Sequence, residues 1–279
     1  MSVRTYRMLL RSVEEILGDE RKEDAGILIR EMEGMTLSDY LLRMDEPVPE
    51  ERASVILYAA GARASGVPLQ HLTRRAPFYG RDFYVDGRVL VPRFDTEILT
   101  HEAICAVRER GGCAEVLDLC TGSGCIGITL KLECPGASVT LSDVSEDALA
   151  VASRNAAHFR AEVKVLAGDL FRDIPGRFDV IVSNPPYIPD AEIRTLSPEV
   201  RDHDPILALS GGPDGLSVCR RLVPEAYRHL RGNGALLVEI GHGQASDVTG
   251  LFRDAGFSGI RVAADLAGIP RVVSGLRTG

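Results

Sequence analysis

Apolar residues in the first quarter of the chain recur every three or four positions. Tyr6, Leu9, Leu10, Val13, Ile16 and Leu17 form one such stripe, and Gly18-Asp19 stops it. A second helix is predicted over Asp24 to Met32. Thr36, with Asp39 three residues on, has capping spacing ahead of Leu41 and Leu42. Pro49 opens a further helix through Ile56 and Ala60, which Gly66 ends. A small helical bundle over 1–75 is expected, with nothing catalytic in its pattern. Between about Phe78 and Val91 the period becomes two: Phe83, Val85, Val89 and Val91 alternate around Asp86-Gly87, a hairpin signal. The expected hairpin linker covers 76–92. Pro92 ends it, a helix follows over Thr96 to Arg110, and Gly111-Gly112 terminates that helix.

From Glu115 onward short apolar runs alternate with helical stripes. Strands are predicted at 115–119, 137–142, 163–166, 178–183, 234–240, 259–263 and 271–275, and helices near 124–133, 145–157, 214–230 and 245–255. This order predicts a mostly parallel sheet covered by helices on both faces, over 93–279.

Charge narrows the classes. With 32 Lys and Arg against 40 Asp and Glu, the net charge is −8, which disfavours a protein that mainly coats nucleic acid. No run is long enough to span a membrane, and Met1 to Leu10 lacks the apolar core of an export signal, so a cytoplasmic location is expected. The six cysteines form no CxxC pair, which argues against zinc; Cys120 and Cys125 are expected to pack rather than to form a redox pair.

Two stretches carry chemistry. The first is Asp118-Leu119-Cys120-Thr121-Gly122-Ser123-Gly124, a loop leaving a strand and entering a helix. Gly122 and Gly124 let backbone N–H groups approach a ligand. Asp143, about twenty residues on, is placed to hold ribose hydroxyls, and Asp169 to accept from a base amino group. A dinucleotide G-x-G-x-x-G pattern also matches at 122–127, but it starts within the helical stretch; the Asp118 spacing is closer to a loop for S-adenosylmethionine. The plainer alternative is a tight turn.

The second stretch, Asn184-Pro185-Pro186-Tyr187, ends a strand. It resembles the motif of methyltransferases that act on planar amino nitrogens. Such a lone pair is conjugated, and breaking amide conjugation costs roughly 18–20 kcal/mol. One neutral hydrogen bond contributes only about 1 kcal/mol. Preorganised acceptors are worth ~3 kcal/mol each as charge develops, and alignment against a methyl sulfonium roughly 7–11 kcal/mol. The Asn184 side-chain oxygen and the Pro185 carbonyl are the two expected acceptors. Pro185 and Pro186 fix the backbone and remove competing donors. The Tyr187 ring is expected to pack on the flat target group.

With these motifs placed, the chain resembles the bacterial release-factor glutamine methyltransferases, the PrmC/HemK family. The resemblance extends over nearly the whole chain. It is carried further by Gly66-Val67-Pro68-Leu69-Gln70-His71-Leu72, by Val91-Pro92-Arg93-Phe94-Asp95-Thr96-Glu97, by Glu239-Ile240-Gly241-His242-Gly243-Gln244 and by Asp265-Leu266-Ala267-Gly268-Ile269-Pro270-Arg271. It implies a Rossmann-like class I S-adenosylmethionine-dependent methyltransferase fold, α/β with a seven-stranded mostly parallel sheet, joined to an N-terminal helical bundle.

It also implies protein methylation in translation termination. The target is the glutamine side-chain nitrogen of the Gly-Gly-Gln motif in class 1 peptide chain release factors. S-adenosyl-L-methionine is the donor and S-adenosyl-L-homocysteine the product. Asp118, Cys120, Thr121, Gly122, Ser123, Gly124, Asp143, Asp169, Leu170 and Asn184 would contact the cofactor; Asn184, Pro185, Pro186 and Tyr187 would bind the glutamine and carry catalysis. No metal, no membrane and no sequence-specific nucleic-acid binding is expected, and a monomer is assumed.

Three positions depart from the family pattern. Cys120 stands where glycine is usual, so negative φ or mild strain is expected there. Leu170 replaces a frequent tryptophan, leaving Phe171 as the aromatic candidate. Phe94-Asp95 replaces a common Pro-Glu. Glu97 is read equally as a cofactor-facing group and as a carboxylate favoured by a helix N-terminus. His203-Asp204 is read as a solvated loop, and His242 and Gln244 as turn residues. Three rival functions remain: methylation of a ribosomal-protein glutamine, adenine methylation of nucleic acid, and a nonenzymatic cofactor-binding module.

Overall fold

The computed structural model describes residues 4–279. The expected bundle begins at residue 1, and residues 1–3 lie outside the described part. Two compact units emerge: one holds the chain up to Arg75 together with Ser197–His203, the other Ala76–Leu196 and Asp204–Gly279.

The first unit is helical, with α1 Tyr6–Leu17, α2 Asp24–Glu33, α3 Leu37–Leu42, α4 Glu50–Ala64 and α5 Leu69–Thr73. Its core is the stripe Tyr6, Leu9, Val13 and Leu17 packed with Leu28, Ile29 and Ile56. Thr36 and Asp39 form a reciprocal capping box at α3. Arg63, nearly buried, bonds Asp24 at 2.6 Å and Glu199 at 3.0 Å, the latter from the returning segment 197–203.

The second unit opens with strands β1 Ala76–Phe78 and β2 Arg81–Phe83, antiparallel. The hairpin therefore turns at Tyr79-Gly80, not at the predicted Asp86-Gly87. Tyr79 and Gly80 have φ of 50° and 73°, the pair of positive values that a two-residue hairpin turn requires. Asp86 instead folds onto its own neighbour: its carboxylate accepts from the Arg88 backbone and guanidinium and from the Tyr84 hydroxyl. The alternating Val85, Val89 and Val91 are buried, but against Ala148 and Val151 rather than in a ladder. Burial produced the period-two signal without strand pairing.

The remaining elements are α6 Thr96–Arg108, β3 Glu115–Leu119, α7 Cys125–Glu133, β4 Ser138–Asp143, α8 Glu146–Phe159, β5 Val163–Ala167 and β6 Phe178–Ser183. After β6 come three short helices, α9 Asp190–Ile193, α10 Pro198–Arg201 (in the first unit) and α11 Ile206–Leu209. Then follow α12 Ser217–His229, β7 Leu230–Glu239, α13 Ala245–Asp254, β8 Phe257–Ala264 and β9 Pro270–Arg277.

The seven strands lie in the order β5-β4-β3-β6-β7-β9-β8, all parallel except β9, which runs antiparallel to both its neighbours. Successive side chains point to opposite faces. Val180 and Val182 pack with α6 and α7 residues such as Leu99 and Ile128; Ile181 packs with Leu222, Val223 and Phe252 of α12 and α13. The mostly parallel sheet of the sequence reading is thus present. The short helices α9, α10 and α11, of four residues each, are too brief to leave a period in sequence.

Asn155 of α8 is fully buried and ties three segments together. Its Oδ1 accepts from Tyr84 N at 2.8 Å, and its Nδ2 donates to Tyr84 O at 3.0 Å and Ser123 O at 2.8 Å. Asn155→Ala should cost about 2–4 kcal/mol, because stranded buried polar groups cost ~1–3 kcal/mol each. A urea midpoint shift at unchanged slope reads this directly. A loss under about 0.5 kcal/mol would mean that water satisfies the abandoned groups.

Candidate active site

The register of the sheet builds the site. β3 and β6 pair in parallel with Leu119 opposite Ser183, so both strands release their loops at the same edge. The Ser183 hydroxyl donates to Leu119 O at 2.9 Å and locks the two exits side by side.

The loop after β3 then bends sharply. Cys120 has φ of 56° and Gly122 of 54°, and Gly124, at 82°, precedes α7. A cysteine in the left-handed region is strained by about 1–3 kcal/mol, so of the two expectations for Cys120 the strained one holds. Leu170 is likewise at 55°. Burial pushes the Cys120 thiol up, and that of Cys125 to about 12, so neither is a ready thiolate.

Asp118 lies beneath the loop rather than on the cavity wall. It is 0% exposed; its Oδ2 accepts from the Thr121 hydroxyl at 2.6 Å and from Gly127 N at 2.9 Å. The carboxylate braces the loop and does not itself line the cavity. Gly124 is also set back, since a Cβ there would fall 2.7 Å from Ile128 Cδ1. Cys120, Thr121, Gly122 and Ser123 do line the cavity. Asp143 ends β4 with Oδ2 accepting from Gly122 N at 2.9 Å and Oδ1 from Ser145 N at 3.0 Å.

Asp169 and Leu170 face the same cavity. Asp169 is ion-paired with Arg221 at 2.7 Å, both half exposed. Such a pair is worth under ~1 kcal/mol, so a ligand can compete for its carboxylate. Phe171 does not replace the missing aromatic: it is 5% exposed and stacks on His229 at 4.5 Å.

On the β6 exit, Asn184 and Pro186 line the cavity, whereas Pro185 is buried in the loop. Asn184 Nδ2 donates to the Thr96 hydroxyl oxygen at 3.2 Å. Tyr187 is turned off the cavity wall toward Gly241, where a Cβ would come within 3.0 Å of its ring. Burial, with the nearby Glu239 charge, raises its hydroxyl to about 12. Its backbone oxygen accepts from Gln244 Nε2 at 2.9 Å, and Gln244 Oε1 accepts from Gly241 N at 2.8 Å. Gln244 thus does more than shape a turn: it clamps the exit loop from the end of β7.

Several supports were not legible in sequence. Asp204 is no solvated loop residue: it is 7% exposed and anchors Arg93 at 2.9 Å. Glu97 accepts from Tyr79 N at 2.7 Å and so caps the hairpin turn instead of facing the cavity. Arg271 joins Asp95 and Asp265, each at 2.9 Å. Glu239, 3% exposed at the end of β7, was missed as a site residue. A carboxylate closing an apolar strand was its available signal.

Cys120 to Ser123, Asp143, Asp169, Leu170, Asn184 and Pro186 line a cavity of about 390 Å³, within the ~300–1,000 Å³ typical of small-molecule sites. Its chemistry selects among nucleoside cofactors. The Gly122 amide that would cradle a phosphate is already taken by Asp143. Two carboxylates, Asp143 and Asp169, stand on the wall instead. That donor set suits hydroxyl, amino and sulfonium groups better than a pyrophosphate. Among the described residues no cluster of His, Cys, Asp and Glu could hold a metal ion.

A family model described as the PrmC N-terminal domain matches residues 9–73, and one described as the methyltransferase small domain matches 103–197. A curated relative from Agrobacterium fabrum, named release factor glutamine methyltransferase, is 40% identical over 256 residues, covering 90% of this chain and 89% of its own. One of the same name from Geobacter sulfurreducens is 43% identical over 235 residues, covering 84% and 82%. Among solved structures, a methyltransferase from Pyrococcus furiosus superimposes with a TM-score of 0.55 at 18% identity, covering 83% of this chain and all of that one. A T. Thermophilus 16S rRNA methyltransferase in complex with AdoMet and guanosine gives 0.53 at 19% identity, covering 73% and 49%. The two structures share the fold.

Burial raises Asp118 from its ordinary 3.8 to about 7, against the pull of its Thr121 and Gly127 bonds. The folded state therefore binds this proton more tightly than the unfolded chain. The group's stabilising contribution is full below about pH 4 and is lost as pH rises through about 7. Asp118→Asn cannot titrate, so its denaturant midpoint should fall less than the wild type's across that window. Parallel curves would show that Asp118 is ionised throughout.

Proposed function

The chain belongs to the release factor glutamine methyltransferase family, and from that premise we propose that it methylates the side-chain amide nitrogen of the glutamine in the Gly-Gly-Gln motif of class 1 peptide chain release factors. S-adenosyl-L-methionine supplies an electrophilic methyl group on a sulfonium and leaves as S-adenosyl-L-homocysteine; the amide proton is lost to solvent. Cys120 to Ser123, Asp143, Asp169 and Leu170 bind this donor, with Asp143 directed at hydroxyl groups. Asp118 and Gly124 shape the loop without touching it.

The observation that carries this reading is the orientation of Asn184. Its nitrogen is engaged by Thr96, so its Oδ1 is left for an incoming amide N–H. The Pro185 carbonyl is the second acceptor, and neither proline offers a donor that would repel the substrate. Two acceptors on one planar –NH₂ draw positive charge toward its protons as the nitrogen rehybridises. The Tyr187 ring packs on the flat glutamine amide.

The division of labour is part of the same proposal. Residues 1–75 grip the release factor, 76–92 link, and 93–279 carry out transfer. The enzyme acts as a monomer in the cytoplasm, where its substrates are made. Among the described residues no helix is long and apolar enough to cross a membrane. The acidic composition disfavours nucleic acid as the substrate.

The direct test is mass analysis of a release factor incubated with the enzyme and donor, beside a Gly-Gly-Gln variant with that glutamine changed to Ala. One added methyl group on the glutamine, absent in the variant, is expected. Asn184→Ala should lower turnover by about 10²–10³-fold, the scale of losing one preorganised polar group, while calorimetric binding of S-adenosyl-L-homocysteine persists. An unmodified release factor would redirect the search to ribosomal proteins. Wild-type turnover in Asn184→Ala would remove Asn184 from the chemistry.

A further inference from the structure

Glu239 ends β7, an interior strand of the sheet, where an ionisable group is costly to bury. It is 3% exposed, and its Oε2 has no hydrogen-bond partner among the described residues. Among the described residues no cation forms an ion pair with it, the arrangement a buried charge calls for. Arg271, the nearby guanidinium, is committed to Asp95 and Asp265. The groups that face the carboxyl come from three directions: Thr96 and Asp95 at the start of α6, Asn184 on the β6 exit, and Arg271 on β9. Its charge also reaches Tyr187 and Cys125.

Building on the methyl-transfer reading above, we propose that Glu239 is a positioning residue that acts through Thr96 to fix which end of the Asn184 amide faces the substrate. The argument is a count of protons. An ionised carboxylate only accepts, and a threonine hydroxyl has one proton to give. With Glu239 ionised, Thr96 donates to it, and the Thr96 oxygen must accept from its other neighbour. That neighbour is Asn184 Nδ2 at 3.2 Å. The nitrogen end of the amide is thereby held inward and Oδ1 is turned to the cavity. A protonated Glu239 reverses the relay. It donates to the Thr96 oxygen, the threonine proton turns to Asn184, and the amide is favoured with its NH₂ outward. In that orientation it meets the glutamine N–H as donor against donor.

Burial, and then the Asp95 charge, raises Glu239 to about 7, opposed by its polar neighbours Thr96 and Asn184 and by the Arg271 charge. The switch thus operates close to neutrality. The competent form is the ionised one, present above that value and lost below it. Two segments some 140 positions apart, Asp95-Thr96 and Glu239-Ile240-Gly241, meet at this relay.

The full-length enzyme, a release factor and the methyl donor are used, over about two pH units on either side of neutral. Wild-type kcat is expected to show an acidic limb. Glu239→Ala should lose roughly ten- to hundredfold in kcat, the scale of removing a group that orients a functional one. KM for the release factor and binding of S-adenosyl-L-homocysteine should stay near wild type. Glu239→Gln, which keeps an acceptor for Thr96 but cannot titrate, should recover much of kcat and lose the limb.

A second readout does not need turnover. The side-chain amide resonances of Asn184, assigned by their loss in Asn184→Ala, should shift with pH in the wild type and stay fixed in Glu239→Gln. Wild-type kcat in Glu239→Ala, or Asn184 resonances that titrate equally in both proteins, would overturn the proposal. If the wild type leaves the release factor unmodified while the Asn184 resonances still follow Glu239, the relay stands and only the substrate assignment fails.

Discussion

The Ser183 hydroxyl on the Leu119 carbonyl, at 2.9 Å, marks the constraint on which the rest depends. β3 and β6 are not consecutive in sequence, yet they are adjacent and parallel and end in register. In such a sheet every strand delivers its loop to the same edge, and the point where the connections diverge leaves a crevice. The bent loop of Cys120 to Gly124 and the exit loop of Asn184 to Tyr187 are both consequences of that one register. A slip of one residue would turn Asp118 from beneath the loop onto the opposite face.

The site is braced by Asp118, Gln244 and Asp204, which do not line its cavity, and by Thr96, which does. Asp118 holds Thr121 and Gly127. Gln244 holds Tyr187. Asp204 holds Arg93, and Thr96 holds Asn184. Each is a hydrogen bond or ion pair with at least one partly buried partner, where polar contacts are stronger and their loss more costly. The strain at Cys120 and Leu170, both with positive φ, sits on the cavity wall that these contacts stabilise. Strained backbone persists where its surroundings over-determine it.

The cavity's electrostatics follow from the same arrangement. Asp143 spends one oxygen on the Gly122 amide, so the glycine loop is closed to phosphate and open to neutral or cationic groups. Two buried carboxyls, Asp118 and Glu239, are raised toward neutrality by desolvation, for opposite purposes. Asp118 fixes a backbone. Glu239 stands beside Thr96 and the Asn184 amide.

Hydrophobic period and motif spacing determined the helical bundle, the seven strands, their covering helices and the two chemical loops. Those signals are local, or repeat along one element, and so survive in a single sequence. Cys120, Gly122, Asp143 and Asn184, singled out by motif spacing, line one cavity in the structure. What only the tertiary structure decided concerns partners distant in sequence. The hairpin turned at Tyr79-Gly80 because backbone geometry outweighed the Asp86-Gly87 signal, once Asp86 had Arg88 and Tyr84 to bind. Asp204 became an anchor because Arg93, 111 positions away, folds beside it. Tyr187 turned from the cavity because Gly241 leaves room for its ring. Glu239 acquired its neighbours because β7 ends beside α6 and the β6 exit. Contacts of that kind leave no period and no spacing, and only the folded chain brings them together.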